Sequence, residues 1–420
     1  MTTQVGPVDD RPLTVALMGA FDTKGAELDF VRTLIEQDGL GVFIIDTSVV
    51  GKGHPTASVS GAEVAQAGGR DLADLVQLHD RGTAIDVMVR GAAAVVPNYW
   101  SRGCFDGIIA LGGGAGTAVG TAAMRALPFG VPKVMVTTLA SGDTKAYVGG
   151  SDLVMIPTVV DIAGINRITR SVFVRAAGAI CGMVRAERSL DAQQDSSARP
   201  LVAASMFGNT TRAVDQAREI LEAAGYEVLV FHATGVGGES MEGLIRAGHI
   251  AGVLDLTPTE LADEVCGGVL SAGPDRMRGA ARTGVPQVVA PGCLDMANFW
   301  AMDTVPEKFR DRNLYPWNPQ VTLMRTTPGE NRALGAVVAA RLNEAHGPVA
   351  IFVPMAGFSE LDIEGGSFWS PEADDAFLEA LKADLRPDIP VVLLDVDVNS
   401  PVFSEAMANE LIAMMDGQAK

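Results

Sequence analysis

Several residue types are scarce in this 420-residue chain, and each shortage closes a class of function. Cysteine occurs four times, at Cys104, Cys181, Cys266 and Cys293, far apart and never as CxxC. That spacing excludes a zinc knuckle or a disulfide scaffold and points to a reducing, cytoplasmic setting. Positive charge is short: 32 Lys and Arg against 51 Asp and Glu leave a net charge of -19, so no polyanion-binding surface and no nucleic-acid partner are expected. Only five histidines are present, which keeps the roster of acid–base candidates small. No stretch is apolar enough to span a membrane, and the opening MTTQVGPVDDRP lacks the apolar segment of a signal peptide, so no membrane partner is expected. What abounds is glycine, 47 residues, in a chain that is 48% hydrophobic. That suits two or three α/β domains with many strand-to-helix turns.

The densest glycine cluster lies in GIIALGGGAGTAVGT, residues 107–121. An apolar run that reads as a buried strand leads into Gly112, Gly113, Gly114 and Gly116, then Thr117 and a helical stretch. Glycine lets a ligand approach the backbone, and the helix behind it offers unpaired N–H groups and the positive end of its dipole, so the loop reads as a phosphate cradle. It matches neither standard fingerprint: no Gly-Lys-Ser/Thr follows, and Thr117 stands where GxGxxG has its last glycine. Tight strand-to-helix packing is the alternative reading.

The chain also repeats itself. Val15, Val42, Gly107 and the GVPKVMV segment at Gly130 find counterparts, in the same order, at Val202, Val228, Gly252 and the GVPQVVA segment at Gly284. This predicts two Rossmann-like, wound βαβ domains related by internal duplication, an α/β fold. The polar stretch DAQQDSSARP at 191–200 sets the expected division, with a nucleotide-binding domain over 1–195 and a second domain over 196–420.

Ligands of such sheets sit at the carboxyl ends of strands, which selects the polar residues after each apolar run. In the first half these are Asp22, Thr23 and Lys24; Asp46, Thr47 and Ser48; the glycine loop; and Thr138, Ser141, Gly142 and Asp143. Lys24 precedes a helix and is expected to reach a phosphate. Asp22 and Thr23 read alternatively as a helix N-cap, and Asp46 as either a ribose acceptor or a turn-forming residue. In the second half the strand ends carry different chemistry: Asn209 and Thr210 for substrate, His232 as the acid–base candidate, Asp255 with Glu260, and Cys293 with Asp295. Arg325 is a further substrate-binding candidate. It stands just before Thr327, Pro328 and Glu330, which spell a capped helix start. The aromatic-bearing stretch 298–317 reads as a cap over a cleft, an oligomer contact or a small packed satellite.

With these motifs assembled, the chain resembles the Tm-one-like ATP-binding family. These are two-domain proteins of bacteria, fungi and plants that include a plant protein restricting tobamovirus RNA replication. The matching segments include FDTKGAEL, ALGGGAGT, TTLASGD, VVDIAGINRITR, FGNTTRAV, VFHATGVGG, LDLTPTELADE, GGVLSAGPDR, PGCLDMANF and LMRTTP, and they span both halves. The resemblance implies ATP binding in the first domain and self-association as a dimer or higher homo-oligomer; it supplies no reaction. Ala115 departs from the serine that relatives often carry in the glycine loop.

The expectation is therefore an ATP-dependent enzyme, with Mg²⁺ held through Asp22 or Asp143 and the phosphates. It would act on an unidentified small molecule in a cleft between the domains, with His232, Glu260 and Asp295 in catalytic roles. A nicotinamide-dependent oxidoreductase and a non-catalytic nucleotide sensor or partner-binding protein are the alternatives.

Overall fold

The computed structural model describes residues 11–192 and 199–418. The middle of the polar stretch at which a boundary is expected, 193–198, lies outside them. The chain separates into two compact units, Met1–Ser196 and Ser197–Lys420.

The first unit runs β1 (Thr14–Gly19), α1 (Phe21–Gln37), β2 (Gly41–Asp46), α2 (Gly61–Ala67), α3 (Leu72–Leu78), α4 (Arg81–Ser101), β3 (Gly107–Gly112), α5 (Gly114–Arg125), β4 (Lys133–Thr137), α6 (Lys145–Val148), β5 (Val154–Pro157) and α7 (Arg167–Ala192). Its five strands pair in the order β2-β1-β3-β4-β5, all parallel. The strands are apolar on both sides because both faces are covered. Ala16, Met18, Ile108, Ala110 and Met135 point to a core shared with α2, α4 and α5. The alternating Val15, Leu17, Ile109, Leu111, Val134 and Val136 point to one shared with α1 and α7.

The second unit comprises β6 (Leu201–Met206), α8 (Thr211–Ala223), β7 (Glu227–His232), α9 (Val236–Arg246), β8 (Ile250–Asp255), α10 (Glu260–Cys266), α11 (Gly279–Thr283), β9 (Gln287–Val289), β10 (Met296–Phe299), β11 (Leu314–Asn318), β12 (Val321–Arg325), α12 (Pro328–Leu342), β13 (Val349–Pro354), α13 (Pro371–Asp384), β14 (Val391–Leu394) and α14 (Pro401–Gln418). Its main sheet is ordered β14-β13-β9-β8-β6-β7, which is the first unit's order with one strand added.

The repetition extends to register. Val15 pairs with Val42 and Gly107, while Val202 pairs with Val228 and Gly252; Ile108 pairs with Lys133, and Val253 with Gln287. Each pair in one copy falls on the counterparts of residues paired in the other, so the duplication is one of hydrogen-bonding frame as well as of element order. What distinguishes the second copy is an antiparallel sheet, β10-β12-β11, inserted after β9. Of the readings for its aromatics, a packed satellite describes Phe299 and Phe309, whose ring centroids stand 5.4 Å apart. Trp317 instead lies against the Gly208 turn after β6.

Candidate functional site

In a doubly wound sheet, ligands sit outside the carboxyl ends of the strands where the strand order reverses. In the N-terminal unit that place is the crevice between β1 and β3, flanked by the turns at 20–24 and 112–117. The glycines of the second turn divide by what the fold demands of them. A Cβ on Gly112 would stand 2.6 Å from Gly116 Cα, so strand-to-helix packing accounts for that residue. A Cβ on Gly113 would meet nothing nearer than Thr138 Oγ1, and one on Gly114 nothing nearer than Leu139 Cδ1, each at 4.0 Å. Gly113 has an ordinary φ of -76°, and Gly114 opens a helix, where glycine is disfavoured against alanine by about 1 kcal/mol. The fold itself does not require glycine at either position. No side chain caps α5, so its first-turn N–H groups have no partner within the helix.

The hydroxyl of Thr117 is committed inward, donating to Gly113 O at 2.8 Å and meeting Thr137 Oγ1 at 2.6 Å. Ser141 and Gly142 are exposed in the turn after β4.

The other expected ligand residues around this crevice are largely engaged in building it. Asp46 accepts from Ser48 N and Ser48 Oγ through Oδ1 and from His54 N through Oδ2, and it is 2% exposed. The turn-forming reading of Asp46 is therefore the one realised, in place of a ribose acceptor. Ser48 Oγ in turn accepts from Asp22 N. Asp22 and Thr23 are not the N-cap, which is Ala20. Asp22 Oδ2 instead accepts from Val50 N and Gly51 N at 3.0 Å, and its Oδ1 is buried without a partner. Lys24 Nζ donates to Ile162 O, and Glu27 accepts from Gly164 N at 2.7 Å, so the first turns of α1 fasten the chain after β5.

In the C-terminal unit most of the expected site residues are buried. Glu260 is no exposed acid or base. It is fully buried, accepts from Gly235 N and Gly238 N, and binds Arg276 Nε at 2.5 Å, thereby filling the amino end of α9 with the protein's own carboxylate. Arg276 also forks onto Asp255 at 2.5 and 2.7 Å and lies 3.6 Å from Glu242. Burial still holds the Glu242 and Glu260 carboxyls above their usual range, against the pull of the guanidinium.

Arg325 is not free for a substrate: it binds Asp374 at 2.8 Å, Asp362 at 3.2 Å and the carbonyl of Phe368. Asp295, fully buried, accepts from Ser359 Oγ at 2.8 Å, and burial pushes its carboxyl up to about 6 against the pull of Arg325. Asn209 and Thr210 are likewise fully buried, with Thr210 bonded to Thr257 at 2.8 Å. Cys293 has an unusual φ of 56°, but its buried thiol is pushed well above the ordinary range. His232 alone among the catalytic candidates reaches solvent. Its ring packs edge-on to Phe207 with centroids 5.5 Å apart, and partial burial pulls its pKa down.

Sequence reading missed Arg276, although the turn GPDR was in view. The available signal was a cation in that turn downstream of three carboxylates on separate elements. It also missed Asp263, which accepts from Asn298 N, Asn298 Nδ2 and Leu270 N and is pushed up to about 7 by burial. Among the described residues no cluster of three or more His, Cys, Asp or Glu is arranged to hold a metal, and no helix is long and apolar enough to cross a membrane.

Two doubly wound parallel α/β domains, the first with an uncapped glycine turn at its switch point, define the class of protein. The chain belongs to the UPF0261 family, described as an uncharacterised protein family: the N-terminal domain matches over residues 13–189 and the C-terminal domain over 199–415. A UPF0261 protein of Clostridium tetani is 48% identical over 96% of this chain and 99% of its own length. One of Rhizobium meliloti is 43% identical over 93% and 96%. The tomato ToMV resistance protein Tm-1 is 40% identical over 79% of this chain and 44% of its own, in agreement with the resemblance carried by the motifs. A solved UDP-N-acetylglucosamine 2-epimerase from Rickettsia bellii aligns over 97% of both chains at 10% identity, with a TM-score of 0.23, too slight a likeness to bear on function.

Proposed function

We propose that the N-terminal unit binds ATP with Mg²⁺, its phosphates lying over the first turn of α5 beside Thr138. The observation that carries this is the pair Gly113 and Gly114, glycines that packing does not require, bordering open space at an uncapped helix start. The switch-point position between β1 and β3 supports it. So does the Asp22 carboxylate, whose buried Oδ1 lacks a partner: Mg²⁺ commonly takes one or two carboxylates and completes its shell with phosphate oxygens and water. When bound, the ion would supply charge neutralisation for the phosphates. Lys24 commits one of its three N–H donors to Ile162 O, which leaves donors for an anion at the same turn.

In this reading the protein is an ATP-dependent enzyme whose C-terminal unit takes the small-molecule substrate at the carboxyl edge of its own sheet, with His232 as the acid–base group. A second reading, a nucleotide sensor without catalysis, is favoured by one observation: Glu260 and Arg325 are both consumed inside the fold. The test is a thermal-shift screen of nucleotides with and without Mg²⁺, since a ligand of the folded state raises its stability. ATP with Mg²⁺ should raise the melting temperature most; a response to NAD in the absence of one to ATP would sink the proposal. Turnover of ATP in a metabolite panel, abolished by His232→Ala, separates enzyme from sensor.

A further inference from the structure

The carboxyl edge of the C-terminal sheet holds a buried polar row. Across the adjacent strands β6, β8, β9 and β13 it comprises Asn209 and Thr210, Thr257, Cys293 and Asp295, and Ser359, all with 0% exposure. The row is bonded in two groups. The Thr210 and Thr257 hydroxyls meet at 2.8 Å, the Thr210 hydroxyl bonds the Cys293 thiol, and Ser359 Oγ donates to Asp295 Oδ2. Two atoms are left over: Asn209 Oδ1 and Asp295 Oδ1 are buried with no hydrogen-bond partner. The Asn209 amide nitrogen reaches only the Met296 thioether, at 3.7 Å.

Buried polar atoms are almost always satisfied, and a buried carboxylate without a cation is costly. Both orphans are acceptors, so what the row lacks is a donor. At Asp295 the neighbouring Arg325 guanidinium attracts the carboxylate and bonds the residue's main-chain O at 3.3 Å, but makes no bond to either carboxylate oxygen. Among the described residues no ion pair reaches the Asp295 carboxylate, because the nearby guanidinium of Arg325 is spent on Asp362 and Asp374. Arg276 is spent on Asp255 and Glu260. The row therefore presents two unfilled acceptors, one of them a carboxylate oxygen, to a donor.

We propose that this row is the binding site for an amine-bearing small molecule, with an ammonium group on Asp295 Oδ1 and a second donor on Asn209 Oδ1. The inference rests on the reading that the C-terminal unit takes the substrate, and it names that substrate's class. The insertion roofs the site: Met296, Leu323 and Tyr315 pack with Phe207 and Cys293, and Trp317 lies over Gly208. Entry of a ligand larger than ammonium requires the β11–β12 hairpin to lift.

The test uses the full chain without nucleotide. Melting temperature is followed at constant ionic strength in ammonium and methylammonium chloride, against sodium chloride and tetramethylammonium chloride, which carry charge but no N–H donor. A saturable rise of a few degrees is expected with the first two salts alone. Asp295→Asn, nearly isosteric, should abolish it, and Asn209→Leu should weaken the half-saturating concentration several-fold. Equal responses to all four salts, or an undiminished ammonium response in Asp295→Asn, would overturn the proposal and leave water as the occupant. A flat ammonium response leaves ATP binding by the N-terminal unit untouched, and a failed ATP titration leaves the ammonium response standing, so the two failures are distinguishable.

Discussion

Replacing Arg276 by Met isolates the most heavily charged buried cluster of the C-terminal unit. The guanidinium is wholly buried and holds Asp255 through two bonds of 2.5 and 2.7 Å, Glu260 through one of 2.5 Å, and Glu242 at 3.6 Å. Methionine fills much of the volume but leaves the carboxylates with only neutral donors: Ser205 Oγ for Asp255, two backbone N–H groups for Glu260 and two for Glu242. Removing one partner of a buried ion pair costs about 3–5 kcal/mol. Against a total stability of about 5–15 kcal/mol, that is a fifth or more of what holds a domain folded.

The loss should depend on pH with a definite sign. Burial already holds Glu242 and Glu260 above the ordinary range, and without Arg276 they rise further. The folded variant then binds protons that the unfolded chain does not, so its stability falls as pH rises through the raised values. The penalty is smaller near about pH 5 than near about pH 8. Urea unfolding followed by tryptophan fluorescence suits the measurement, because Trp300, Trp317 and Trp369 lie in the C-terminal unit and only Trp100 lies in the other. A loss below about 1 kcal/mol, or one equal at both pH values, would refute the view that Arg276 neutralises this cluster.

The wild-type C-terminal unit should itself lose stability between about pH 5 and pH 8. Asp263 and Asp295 titrate at about 7 and about 6 when folded, and the stability tied to their protonated forms is lost as pH rises through those values. Asp295→Asn should flatten that profile and gain about 1 kcal/mol at the alkaline end: a carboxyl raised to about 6 costs at most about 3 kcal/mol there, offset in part by an unpaired amide N–H. A steeper profile in urea melts would contradict this. Thr327→Ala removes the hydroxyl that accepts from Glu330 N at 3.2 Å and should cost about 1 kcal/mol in the same assay. Gly112→Ala drives a Cβ to 2.6 Å from Gly116 Cα and should lower the melting temperature, whereas Gly113→Ala should leave it nearly unchanged. Equal effects of the two would undo the division of the glycines into packing and open positions.

The elements were legible in the sequence because their patterning is local. The apolar runs at Val15, Val42, Val202 and Val228 became paired strands in equivalent registers, and Thr327, Pro328 and Glu330 formed the expected capping box. Residues at strand ends were identified correctly as strand-end residues, but their roles were not legible, because a role depends on partners distant in sequence. Lys24 meets Ile162, Arg276 meets Glu242 and Asp255, and Arg325 meets Asp362 and Asp374. No spacing rule announces such pairs. Asp46 and Glu260 show the recurring ambiguity: a carboxylate beside a turn looks the same in sequence whether it awaits a ligand or already binds the turn's own N–H groups, as both do.

The measurement that bears most directly on the account is calorimetric titration of ATP with Mg²⁺ into the wild-type chain and into Gly114→Val. The substituted side chain would enter space in which, beyond the helix's own backbone, the nearest atom to a Cβ is Leu139 Cδ1 at 4.0 Å, so the variant should melt as the wild type does. The account predicts saturable binding to the wild type and at least a tenfold weaker affinity in the variant, about 1.4 kcal/mol or more. Undiminished ATP binding by a folded Gly114→Val variant, or no ATP binding by the wild type, would contradict it.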